Sequence, residues 1–77
     1  MNKQRRKNIA NAIDLLEQAQ SIIETARDEE QEAFDNLPEG IQCSERGEAM
    51  EDAIYNLENL FDTIQEALDS ISEIIEN

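Results

Sequence analysis

Histidine and tryptophan are absent from this 77-residue chain, cysteine and proline occur once each, and glycine twice. Each scarcity removes a class of function. Without histidine there is no imidazole base, no thiolate–imidazole pair and no ordinary zinc site, and the lone Cys43 cannot close an intrachain disulfide. A carboxylate-bridged metal pair in a helical bundle needs the Glu-x-x-His spacing, which is missing too. The sequence also holds no phosphate-cradling glycine loop, no calcium-loop pattern and no nucleophile beside a base. Met1–Lys7 is basic like the front of a signal peptide, but Asp14 and Glu17 interrupt any apolar core behind it, and no apolar run approaches membrane-spanning length. We therefore expect a cytoplasmic protein without membrane contact, cofactor, metal or enzymatic activity.

Positive charge is scarce as well. Lys3, Arg5, Arg6 and Lys7 hold four of the six cations, so from residue 8 onward only Arg27 and Arg46 stand against all 19 carboxylates, a net charge of −17. Such a body repels bare nucleic acid, and direct nucleic-acid binding is not expected. Over roughly 45 Å of helix this is about one charge per 2.6 Å, between duplex DNA at ~1.7 Å and a single strand at ~3.4 Å. Nucleic-acid mimicry is one reading of that density; solubility is the other. The basic residues 1–7 form an N-terminal tail, the only segment able to touch an anionic partner.

What is abundant is apolar residues at a seven-residue period. Ile9, Leu16, Ile23 and Leu37 share one column, Ala12, Ala19, Ala26 and Ala33 a second, and Ile13 and Phe34 bracket a third. This predicts a helix over about 5–36. Met50, Leu57, Ile64 and Ile71, then Ile54, Phe61, Leu68 and Ile75, then Ala53, Leu60, Ala67 and Ile74 predict another over about 45–76. Between them, over about 37–43, Pro38 disfavours helix at Leu37, Gly40 permits a left-handed turn and Ser44 is a suitable N-cap. Gly47 marks either a close backbone crossing or the start of the helix. The fold class is all-α: an antiparallel hairpin of two long helices in one domain, 1–77, with the alanine column allowing close approach.

A two-stranded seam buries only two columns per heptad, so three on each helix call for more cover. We expect a homodimer, a four-helix bundle built from two hairpins, with Leu15, Ile22, Leu60, Phe61, Leu68 and Ile74 at its interface. Arg27 and Glu30 narrow the stripe near the turn, which predicts a frayed or solvated end and allows a salt bridge between them. Tyr55 shares a column with Glu48, Asp62 and Asp69 and is expected to be exposed among acids; with Arg27, Glu30 and Arg46 it makes a candidate partner-binding patch.

The segment from Asp28 through Glu32, Ala33, Phe34, Asp35, Asn36, Leu37, Pro38, Glu39, Gly40 and Ile41 to Gln42, followed by Ser44-Glu45-Arg46-Gly47-Glu48 and Met50-Glu51, resembles small uncharacterised acidic helical-hairpin proteins encoded by bacteriophages and prophages. The resemblance implies a phage origin and transfers no functional residues. The function expected is that of a non-enzymatic accessory protein that binds and modulates a bacterial host protein in the host cytoplasm. A purely structural self-associating module, or a sponge for a small anionic ligand held by Arg27 or Arg46, are the alternatives.

Overall fold

The structure, a computed structural model, describes residues 1–76, so the last residue of the domain read from the sequence lies outside it. Helix α1 spans Lys3–Asp35, a single-turn α2 spans Glu39–Gln42, and α3 spans Glu45–Glu76, with no strand among the described residues. Helices α1 and α3 pack side by side as a hairpin whose backbone measures 58 × 15 × 13 Å. No helix of the described residues is long and apolar enough to cross a membrane.

The basic residues 3–7 are helical and do not form a separate tail. Asn2 starts α1, its side-chain oxygen accepting the Arg5 N–H at 2.8 Å. This satisfies one of the amides that open every helix. Charge works against both ends of α1: its first turn holds cations and no acid, and its last turn no cation. Each such placement costs about 0.3–1 kcal/mol against the helix dipole. Packing along the seam, not the termini, therefore holds α1. The turn end is not frayed, because α1 continues unbroken to Asp35 and Asn36 closes it with an N–H to the Glu32 carbonyl at 3.0 Å.

The reversal is a helical turn rather than a left-handed one. Pro38 ends the extended stretch, and its carbonyl accepts the N–H groups of Ile41 and Gln42 at 2.8 and 3.1 Å. Gly40 sits inside α2 without positive φ. Gln42 then reaches back, its side-chain amide donating to the Phe34 and Leu37 carbonyls at 3.1 and 3.2 Å. Both carbonyls lie where α1 stops, and that of Phe34 also accepts the Leu37 N–H at 3.0 Å. Ser44 caps α3 as the sequence predicts: its hydroxyl accepts the Gly47 N–H at 3.5 Å and donates to the Ile41 carbonyl.

Lettering the heptads a to g, the seam is made by 13, 20, 27 and 34 (a) with 9, 16, 23, 30 and 37 (d) on α1. Opposite them stand 47, 54, 61, 68 and 75 (a) with 50, 57, 64 and 71 (d) on α3. Every member of these columns is buried or half-buried. Among the described residues Ile54 and Leu68 are the buried apolar side chains, each 7% exposed, and none is fully enclosed. The alanine column occupies g, beside the seam, and Ala26 and Ala33 are exposed. Close approach is supplied elsewhere, where buried Gly47 lies against the backbone of Gln42.

Gln20 is the polar member of the core. Its amide donates across the seam to the Phe61 carbonyl at 3.3 Å and the Gln65 side-chain oxygen at 3.0 Å. A satisfied buried amide adds little net stability but penalises any slip of the helices that unpairs it. Gln65 is exposed and can turn to water. Gln20→Leu is therefore expected to raise stability by about 1 kcal/mol, a gain of ~4–8 °C in Tm by thermal circular dichroism. A fall in Tm would refute the small net contribution assigned to this amide.

Candidate functional site

Antiparallel pairing sorts the surface into two sides. In such a seam the a and e columns of both helices share one flank, and the d and g columns share the other. The cross-seam bonds agree, since Gln20 and Arg27, both at a, reach Gln65 and Glu58, both at e. The flank bearing a and e continues outward into b. Along α1 it carries Asp14, Glu17, Glu24, Asp28 and Asp35, and along α3 it carries Glu48, Glu51, Glu58, Asp62 and Asp69, all exposed.

The opposite flank continues into c and is nearly free of charge. On α1 it runs Asn8, Ala12, Leu15, Ala19, Ile22, Ala26, and on α3 Ala53, Asn56, Leu60, Thr63, Ala67, Ser70, Ile74. Arg5 lies at its open end, and Glu29 and Arg46 at its turn end. Leu15, Ile22, Leu60 and Ile74 stand 65%, 69%, 45% and 48% exposed there. These four of the six residues expected at a dimer interface therefore lie on one side. The other two do not: Leu68 is buried and Phe61 half-buried in the chain's own seam, because both occupy a.

The acidic flank has a shallow groove of about 340 Å³ lined by Glu24, Arg27, Asp28, Leu57, Glu58, Phe61 and Asp62. Arg27 pairs with Glu58 rather than with Glu30: its Nε and Nη2 donate to Glu58 Oε1 at 2.9 and 2.7 Å, and its Nη1 to Asp28 Oδ1 at 3.1 Å. Hydrogen bonds donated to Glu58 first and Asp28 second hold the guanidinium above its ordinary pKa. The groove thus presents an already neutralised arginine among further carboxylates. It suits a cationic visitor and disfavours the anionic ligand of the sponge reading.

Tyr55, 64% exposed, stands at b on this same flank. Of the four residues proposed as a patch, Arg27 and Tyr55 share a side. Glu30 is half-buried at d, and Arg46 is exposed at g across the molecule. Among the described residues no three of His, Cys, Asp and Glu converge as a metal site, and Cys43 is an exposed free thiol. Sequence reasoning passed over Gln20, Gln42 and Gln65. The available signal was Gln20's place in the column bracketed by Ile13 and Phe34, where an amide must find a partner or be expelled.

No family model, curated protein or solved structure matches this chain.

Proposed function

We propose that this chain is a non-enzymatic protein-binding module with two working faces: an uncharged one for packing against another helical surface, and an acidic one, centred on Tyr55 and the Arg27–Glu58 groove, for a basic partner protein. The observation that carries it is the segregation of charge. A surface kept acidic for solubility alone has no reason to leave one whole flank of a 58 Å hairpin bare while crowding the other. Exposed leucine and isoleucine on a flank whose carboxylates are confined to its turn end make an adhesive surface; an exposed tyrosine among acids makes an anchor.

In the setting implied by the phage resemblance, the basic partner is a bacterial host protein met in the host cytoplasm. The acidic flank then imitates nucleic acid to the extent that its charge density does. Binding to a basic bacterial nucleic-acid-binding protein is expected to weaken about tenfold with Tyr55→Ala and to fall steeply between low and moderate salt. Free DNA should compete. Titration calorimetry that found no effect of Tyr55, salt or DNA would eliminate the acidic flank as the binding face.

A further inference from the structure

We propose that the uncharged flank is covered by a second copy of this chain, packed antiparallel so that each basic open end lies over the other's acidic turn end. The inference rests on the two-faced reading above and gives one of its faces a definite occupant.

Area points to a missing partner. A compact 8.8 kDa monomer exposes roughly 4,800 Å² by the scaling of surface with mass, whereas this chain exposes 5719 Å². The excess of roughly 900 Å² is close to the ~800 Å² that each partner buries in a standard interface. A flank about 45 Å long and two helix diameters wide offers that much.

Charge selects the face and the direction. Two chains of net charge −13 repel, and the c and g columns form the surface on which they can meet with little charge between them. Ten of the 19 carboxylates fall between Asp28 and Asp52, at the turn end, where Arg46 is the lone cation; Lys3, Arg5, Arg6 and Lys7 all sit at the open end. Parallel stacking would place two acidic turn ends side by side. Antiparallel stacking sets each beside a basic open end instead, with Arg5, the one of the four cations on this flank, near the partner's Glu29.

Side-chain size agrees. An in-plane two-fold axis perpendicular to the helices lays α1 over its own copy. With that axis level with Glu17, Leu15 comes opposite the partner's Ala19, Ile22 opposite the partner's Ala12, and Arg5 opposite the partner's Glu29. Large thus faces small at two pairs on α1 and cation faces acid at a third. The product is a four-helix bundle with both acidic flanks outward.

Sedimentation equilibrium of the full chain at micromolar concentration tests this, together with a spin label on Cys43. A dimer is expected. Ile22→Glu should weaken it on the order of 30-fold or more, while Tyr55→Glu on the far flank leaves it unchanged. The two labels should lie beyond about 50 Å, because the turns occupy opposite ends. Ile22 is 69% exposed in the single chain, so helix loss in Ile22→Glu that recovers as concentration rises also supports the proposal. A monomer, a dimer indifferent to Ile22→Glu, helix loss independent of concentration, or labels within about 25 Å would overturn it. A monomer that still binds a basic protein through Tyr55 removes the dimer and leaves the acidic face standing.

Discussion

Gly47→Ala is expected to destabilise the hairpin by about 2 kcal/mol, lowering Tm by roughly 8–16 °C in thermal circular dichroism. In an open helix the same change would stabilise by about 1 kcal/mol, because alanine is the better helix former. Here the added Cβ would overlap the Gln42 carbonyl oxygen and come within 2.6 Å of its carbon. Both atoms are backbone, so no rotamer relieves the clash and α2 must move as a unit. Moving it strains the two bonds by which the Gln42 amide closes the Phe34 and Leu37 carbonyls, worth about 1 kcal/mol each. Overpacking and lost bonds together outweigh the propensity gain. An unchanged or higher Tm would mean that α2 is free to shift and does not brace the turn.

Leu68→Ala should be the more damaging change. Leu68 is 7% exposed, one of two buried apolar side chains among the described residues. Truncating a buried leucine costs about 2–5 kcal/mol, and a chain of this size has roughly 4–12 kcal/mol of stability in all. We expect a loss near 3 kcal/mol and a fall of ~12–24 °C, measured at fixed protein concentration. Leu60→Ala serves as the control: Leu60 is 45% exposed at g, and its removal should cost the single chain under about 1 kcal/mol. A larger loss from Leu60→Ala than from Leu68→Ala, at a dilution where the chain is monomeric, would show that the a and g columns have been assigned the wrong way round.

That contrast marks where the heptads stopped being informative. Seven-residue recurrence announces a helix and its apolar stripe, and both long helices lie within two residues of the bounds it predicts. It does not rank three adjacent apolar columns, since any neighbouring pair can face a partner helix. Leu68 and Leu60 look equivalent in the sequence. One is core and the other surface because the antiparallel partner covers a and d. Arg27 illustrates the same gap: Glu30 is the obvious helical neighbour, yet the guanidinium reaches Glu58, 31 residues along the chain. Local spacing carries no information about which residue a reversal brings alongside. The Gly47 crossing is an intermediate case, signalled by a costly glycine near a helix start but explained only by the Gln42 backbone beside it.

Helix content, the position of the reversal, the Ser44 cap and the lopsided charge all follow from the order of residues. Each depends on interactions within a few positions or on simple counting. The seam's choice of columns, the burial of Gln20 against Phe61 and Gln65, the pairing of Arg27, and the division into an acidic flank and a bare one arise only when α1 lies against α3. Each of these depends on which side of a helix its neighbour occupies, and that is a property of the packed pair rather than of either strand of sequence.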